Sequence, residues 1–477
     1  MSLFSKYRAQ RSGRRAFSST SERVPCYALC GLAILLVPAL LAAQDKSELQ
    51  QILERLDRLE QENRNLTAEV RALRTELAAS HTSPPAAAAQ PAGPPASPLN
   101  ERMAVTEQRV EEQAQTKVEA SQKLPITMTG MVLFNSYLNG QASGGQQDPT
   151  TAALTKTTDA GGASLRQSVL GFKFQGPKVW GGGQVNGSLY MDLFGGTSSS
   201  LNHLLRMRVA TVEVDWKNTT FLVGQDKPII APREPNSLAQ VGVSPLTGAG
   251  NLWLWQPQAR IEQRFSFGEQ TGLRAQLGVY QTSEPANASV TAAYTGSLAT
   301  SRPALEGRFE FWHAFGEGKR IEIAPGFHTS TTHVAGYSVP ARLFTLDWMI
   351  QPAEKFQFSG AFFHGTNDAG VGGLRQGFTI FDYDRVVGVG ATGGWAQFSY
   401  LPTKRLSFNL YGGQESDQGS DLLPGEVSRN LTYAGNAIYR LGSNVLLGFE
   451  ASQVRTNYFL TTRRLNNHYD VAVAYLF

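Results

Sequence analysis

Cysteine is almost missing from this chain of 477 residues. Cys26 and Cys30 are the only two, and both lie near the N-terminus. The rest must hold its shape without disulfides, and paired-cysteine metal sites are excluded from it. Histidine is sparse too, with seven residues scattered along the chain. His328 and His333 have no cysteine nearby and no helical context, so no metal-ligand spacing emerges. There is no Gly-x-Ser-x-Gly and no Walker loop, and Gly181-Gly182-Gly183 lacks the Lys-Ser/Thr that phosphate cradling needs. Dispersed Ser and His residues do not exclude a hydrolase, but no motif asks for an enzyme, a metal or a cofactor. An excess of charge is missing as well. Residues 1–43 hold six basic residues and one acid; removing these from totals of 43 and 39 leaves 37 basic and 38 acidic residues. Nothing in that balance calls for nucleic acid. After residue 43 there is no run of ~18–20 apolar residues, so no helical membrane span is encoded. A transmembrane β-barrel escapes that test, because only alternate residues of each strand face lipid.

What is present begins with a basic stretch carrying Lys6, Arg8, Arg11, Arg14, Arg15 and Arg23. An apolar run over 27–43 follows, ending in Leu41-Ala42-Ala43. This reads as a signal peptide over 1–43, with an N-terminal membrane anchor as the other reading. The run is short, holds Pro38 and ends in small residues, which favours cleavage near 42–44 and removes both cysteines.

Residues 45–80 read as a coiled coil. Leu49, Ile52, Leu56, Leu59, Asn63, Leu66, Val70, Leu73 and Leu77 recur at 3-4 spacing without a slip, and a 3.5-residue apolar repeat drives left-handed supercoiling. Arg55 at g is placed to pair with Glu60 at e of a neighbouring helix, and Glu69 with Arg74 repeats the relation with reversed signs. Asn63 is a polar group in the seam, which sets register. A lone amphipathic helix is the simpler reading, but the matched g/e charges favour self-association; the identities at a and d leave the number of helices open. A Pro/Ala linker over 81–99 is extended and semi-rigid. A second, weaker helical segment covers 100–124, and 125–477 is the last domain.

From Ile126 onward, segments of ~10–14 residues alternate in polarity. Short turns (Gly176–Gly183, Trp216–Thr219, Gly268–Gly272, Gly316–Lys319, Pro352–Lys355, Pro402–Lys404, Gly442–Asn444) take turns with longer polar loops (139–163, 195–202, 226–251, 283–303, 333–338, 365–382, 417–427, 457–464). Seven turns and eight loops predict about sixteen antiparallel strands, an all-β transmembrane barrel with both ends on one side. Trp180, Trp216, Trp312, Trp348 and Trp395 fall in or near the short turns, as an interfacial girdle would. The chain ends Tyr469-Asp470-Val471-Ala472-Val473-Ala474-Tyr475-Leu476-Phe477. That resembles the last strand of bacterial outer-membrane barrels, with an ordinary antiparallel edge strand as the other reading. The resemblance implies that Tyr475 and Phe477 form the signal read by the barrel assembly machinery.

Sixteen strands enclose a wet lumen rather than a packed core, which weighs against a hydrolase. The polar faces carry Arg166, Arg206, Arg208, Arg260, Arg264, Arg274, Arg308 and Arg440, with Glu262, Glu306 and Glu310 among them. Each arginine is either a partner in a wall network or a contact for solute. Collectively, forked guanidinium donors attract carboxylates and phosphates. Parity conflicts in one strand: Arg206 and Arg208 share it with Val212 and Val214, whereas Glu213 and Asp215 do not. Either a bulge near Ala210 flips the faces or the strand is misregistered. The loop 226–251, with three prolines before residue 236 and the charges Asp226, Lys227, Arg233 and Glu234, is either a constriction folded into the pore or an exposed surface loop.

Local sequence adds a family. Arg206-Met207-Arg208 precedes Val212-Glu213-Val214, Leu222-Val223-Gly224-Gln225 leads into the loop, and Gln256-Pro257-Gln258 stands before Arg260. With the coiled-coil extension, these resemble the trimeric outer-membrane channels of the DcaP-like family. After Gly224-Gln225 this chain departs from the family pattern with Asp226-Lys227-Pro228. The resemblance implies a homotrimeric porin in the outer membrane lipid bilayer, its arm in the periplasm. It also implies passive diffusion of small anionic solutes such as dicarboxylates, with Arg206, Arg208 and Arg260 at matching positions. The alternative is an envelope tether, the barrel serving as anchor and the arm reaching peptidoglycan.

Overall fold

The computed structural model describes residues 126–195, 203–281, 303–334, 337–374, 377–381 and 385–477. The expected signal peptide, the coiled coil with Asn63, the Pro/Ala linker and the second helical segment lie outside the described residues. The described strand segments are β1 (Ile126–Asn139), β2 (Ala160–Ser164), β3 (Val169–Val179), β4 (Gly183–Gly195), β5 (Leu204–Asp215), β6 (Thr219–Asp226), β7 (Gln256–Ser266), β8 (Thr271–Tyr280), β9 (Ala304–Gly316), β10 (Lys319–Val334), β11 (Tyr337–Ala353), β12 (Phe356–Thr366), β13 (Phe378–Phe381), β14 (Arg385–Gly388), β15 (Gly390–Thr403), β16 (Leu406–Asp417), β17 (Val427–Arg440), β18 (Val445–Tyr458) and β19 (Arg463–Leu476).

Every pairing among them is antiparallel, and β1 pairs with β19, so the sheet closes on itself. β2 and β3 lie end to end against β1 and count as one interrupted stave; β13 and β14 form a separate hairpin within a loop. The barrel therefore has sixteen staves, the number that the alternating turns predict. Closure gives every strand two hydrogen-bonded neighbours and leaves no edge to pair with another chain. At the seam, Gly130 and Phe477 exchange backbone hydrogen bonds of 3.0 and 3.1 Å. Two of the expected long loops are in fact tight. β10 runs to Val334 and β11 resumes at Tyr337, and only four residues join β18 to β19.

The polarity of a globular protein is reversed. In β19, Tyr469, Val471, Val473 and Tyr475 are exposed, while His468, Asp470, Ala472 and Ala474 are buried inside. β1 repeats the pattern with Val132, Phe134 and Leu138 outside and Leu133, Asn135 and Asn139 inside. Period-two alternation thus places a continuous apolar surface outward and a polar one inward. At the short-turn end, Phe356 stacks on Phe398 and Tyr400, and Tyr400 on Phe408, with centroids 5.2–6.4 Å apart. Trp180 and Trp216 meet edge to face at 5.9 Å in the same band. Two expected girdle tryptophans turn inward instead, because strand parity outranks closeness to a turn. Trp395 shares parity with the buried Gly393 and Gln397 and packs against Leu246 and Tyr411. Trp312 shares parity with Glu310 and receives the Arg320 guanidinium at 5.0 Å.

The parity conflict in β5 resolves as a bulge, two residues before Ala210. Val209 faces Tyr190 and Met207 faces Met191, so Arg208 is the extra residue. The faces flip there, and Arg206, Thr211 and Glu213 all come to point inward. Across β6, Gly224 adopts φ 138, and a Cβ at this position would fall on the Ala210 carbonyl oxygen. Only glycine tolerates that approach. We expect Gly224→Ala to destabilise the barrel by about 1–3 kcal/mol, read as a lower thermal midpoint of the folded, heat-modifiable band on gels.

Candidate functional site

The segment between β6 and β7 lies inside the barrel. Pro228, Pro232 and Pro235 remove three N–H donors and fix φ, so the chain cannot coil into a helix there and stays extended. Many of its polar groups bond to inward-facing wall residues. The Ile229 N–H donates to Glu306 (3.1 Å) and to the Tyr280 hydroxyl (3.2 Å). The Asn236 N–H donates to Gln397 (2.7 Å), and its carbonyl accepts from Asn436 (2.7 Å). Ser237 donates to Glu450 (2.7 Å), and the Leu238 carbonyl accepts from Asn135 (2.9 Å). Gln167 receives the N–H groups of Val241 and Gly242 at 2.6 and 2.7 Å. These partners come from both sides of the barrel, so the segment crosses the lumen. Ile229, Ile230, Leu252, Tyr280, Leu343 and Phe363 form the largest apolar cluster where it meets the wall.

A groove of small residues accepts its far end. Gly250, at φ 94, sits against Gly394, and the Ala249 carbonyl lies over Gly413. Doubled glycines in two adjacent strands, Gly393-Gly394 and Gly412-Gly413, were a legible sign of close backbone approach. The loop after β12 then docks on the crossing segment: Val371 accepts the N–H groups of Trp253 (3.1 Å) and Leu254 (3.3 Å). Above this, at the long-loop end, lies a cavity of about 660 Å³.

The six arginines expected along the pathway all face carboxylates. Arg206 is bidentate on Asp192 (2.6 and 3.1 Å) and also reaches the Gly242 carbonyl; Arg208 is 3.8 Å from the same Asp192. Both guanidiniums lie over Trp255, at 5.1 and 4.8 Å. Arg260 pairs with Asp226 at 3.0 Å. Arg264 and Arg274 share Glu262, at 2.9 and 2.5 Å. Arg308 is bidentate on Asp347 (2.7 and 2.8 Å) and reaches Glu310 at 2.7 Å. Exposure separates them: the Arg308 side chain is 1% accessible, those of Arg274 and Arg264 36% and 44%.

The charged residues of the crossing segment are paired as well. Lys227 bonds Glu234 at 2.6 Å, and Arg233 bonds Asp347 at 3.0 Å and also Glu322. Burial opposes ionisation of Glu234, but Lys227 and the Ser244 hydroxyl outweigh it and hold the carboxyl below the usual range. The partners Asp192, Glu322 and Asp347 were missing from the expected set. Strand parity would have placed Asp347 inside, two residues from the buried Thr345.

The other side of the lumen is acidic. Among the described residues, Asp148, Asp368, Glu415, Asp417, Glu450 and Asp470 are buried and form no salt bridge. Burial raises the Asp368 carboxyl to about 7, beside Glu415. The Glu415 carboxylate accepts the Leu374 N–H at 2.5 Å and so fixes the Asp368 loop.

No protein-family model and no curated protein matches the chain. Among solved structures, the fold is similar to that of the outer membrane channel DcaP of Acinetobacter baumannii, at 17% identity and a TM-score of 0.61, covering 74% of this chain and 97% of that one. The anion-selective porin from Comamonas acidovorans aligns over 74% of this chain and 99% of its own, at 12% identity and a TM-score of 0.50. At these identities the likeness establishes a shared barrel fold.

Asp347 holds one arginine of the wall and one of the crossing segment. Asp347→Asn should therefore cost roughly 3 kcal/mol, measured by urea unfolding with tryptophan fluorescence; equal stability of the variant would show that the cluster is not strongly coupled. Asp368 has a folded pKa raised above its unfolded value. Its contribution is complete below the ordinary carboxylate range and is lost as pH rises through about 7. The Val371 amide should accordingly exchange with deuterium faster at pH 8 than at pH 5 after correction for intrinsic rates, and Asp368→Asn should flatten that difference.

Proposed function

We propose that this chain is an outer-membrane porin, a passive and non-enzymatic channel for small hydrophilic solutes with a preference for carboxylate-type anions. The reversed polarity of a closed barrel supports the membrane location, since the outward apolar side chains need lipid and the inward polar ones need water. The lumen-crossing segment between β6 and β7 supports the reading of Asp226, Lys227, Arg233 and Glu234 as members of a constriction. The observation that carries the anion preference is the sharing of Glu262. Arg264 and Arg274 face each other across β7 and β8 on that single carboxylate, and both guanidiniums stay accessible. Glu262 alone bonds the two guanidiniums, so the short-turn mouth keeps accessible forked donors. Arg206, Arg208 and Arg260 act in the same sense nearer the long-loop end, weakened by Asp192 and Asp226. Arg308 is too enclosed to touch solute and serves to hold the wall.

The barrel works as a homotrimer with its N-terminal arm in the periplasm. The exposed aromatic Tyr475 and the terminal Phe477, whose backbone closes the seam on Gly130, form the signal taken by the assembly machinery.

Planar-bilayer recording of the full-length protein across a KCl gradient tests this reading. The expected result is ohmic conductance with a reversal potential on the chloride side. Reversing Arg264 and Arg274 to glutamate should move that potential toward cation preference. Folded protein that does not conduct would sink the porin reading, and an unmoved potential would sink the assigned role of the pair. Deleting Phe477 should lower the amount of folded barrel in outer-membrane fractions several-fold; unchanged levels would remove its assembly role.

A further inference from the structure

The cavity at the long-loop end holds charged groups that the pathway does not use. Only two of the described arginines are buried, Arg166 and Arg308. Arg308 is saturated by carboxylates, whereas Arg166 bonds none among the described residues. It donates to the Phe194 carbonyl at 3.2 Å, and weakly to that of Gly195 at 3.5 Å. Its guanidinium lies over the Phe194 ring at 4.6 Å, and its Nε has no partner. Stacking and the carbonyl bonds fix the fork in place with donor capacity left over.

Asp148 lines the same cavity. It is 6% exposed, and neither carboxylate oxygen has a hydrogen-bond partner among the described residues. Asn139 donates to the carbonyls of Gln146 and Gln147 at 3.0 and 2.9 Å, which pins the loop just before Asp148. Burial, then Asp470 and Glu450 behind it, push the Asp148 carboxyl well above its usual range, with Arg166 opposing them. Three more polar atoms in the cavity's lining lack partners: the Ser143 hydroxyl, the Gln147 amide nitrogen and the Trp253 indole nitrogen. Buried polar groups in native proteins are nearly all hydrogen-bonded, so a cluster of this kind points to a partner that fills it.

We propose that this cavity binds a small zwitterion of amino-acid to dipeptide size, its carboxylate held by Arg166 and its ammonium by Asp148. A carboxylate matches the fork of Arg166, and an ammonium supplies the counter-charge that Asp148, backed by two further acids, lacks. Ser143, Gln147 and Trp253 offer donors and an apolar ring for the backbone between the two ends. A plain anion would leave Asp148 unanswered, and a plain cation would leave Arg166 so. The site does not depend on conduction, since it concerns binding at the long-loop end alone.

Isothermal titration calorimetry on the full chain, folded in detergent, tests this with L-alanyl-L-alanine as the probe. N-acetyl-L-alanine presents the carboxylate alone, and L-alaninamide the ammonium alone. Saturable binding of the dipeptide is expected, at least tenfold tighter than either single-charge analogue. Asp148→Asn and Arg166→Gln should each weaken the dipeptide at least tenfold, while N-acetyl-L-alanine should respond only to Arg166→Gln. Absence of saturable dipeptide binding, equal binding of the three probes, or dipeptide binding indifferent to both substitutions would overturn the proposal. The thermal midpoint of Asp148→Asn without ligand is a second check. No loss is expected, and a clear fall would mean that the carboxylate already has a structural partner, which also overturns it. Bilayer recording of the same samples reports on the porin reading separately.

Discussion

A barrel that turns its apolar side chains outward has to settle its charges within its own lumen, and most of what is distinctive here follows from that. Asp347 shows how. One carboxylate takes the guanidinium of Arg308 from the wall and that of Arg233 from the crossing segment. An ion pair this enclosed adds little net stability by itself, but losing either partner strands the other. The cluster therefore acts as a lock on geometry. The position of the crossing segment and the charge balance around it are set by the same few atoms.

This coupling changes how a row of arginines in a lumen is understood. Fixed positive charge attracts an anion only to the extent that protein carboxylates have not already claimed it. Asp192 takes two arginines, Glu262 two more, and Asp347 with Glu310 encloses Arg308 completely. Unclaimed positive charge is concentrated where one acid serves two accessible arginines. The acidic residues across the lumen work in the opposite way. Lacking cations, Glu415 and Glu450 hold loops through hydrogen bonds, from the Leu374 amide and the Ser237 hydroxyl.

The crossing segment combines two devices that are separable in sequence. Prolines deny it the donors for a helix, and doubled glycines on β15 and β16 clear the space where its far end lands. Between these, most of the bonds it makes to the wall go to residues more than fifty positions away. Such contacts cost ordering entropy, which is offset because they satisfy polar groups that the closed wall would otherwise leave facing one another without partners.

The chain's own order of residues determined the sheet. Alternation has a period of two and turn residues are local, so the number of staves, their facing and the closing aromatic strand are legible without coordinates. The bulge in β5 was legible as a conflict of parity, though not its place at Arg208, because the extra residue is fixed by pairing with β4. Trp395 was misplaced for a related reason: nearness to a turn is a weaker rule than the face a residue occupies. Pairing of charges was legible only within a strand, as for Arg264 with Glu262 and Arg308 with Glu310. Arg233 meets Glu322 and Asp347 only because the segment crosses the lumen, and Arg166 shares a cavity with Asp148 only because the first long loop folds inward. Periodicity along a strand is a property of sequence, whereas which carboxylate neutralises which arginine depends on distances across the barrel, and those exist only once it has closed.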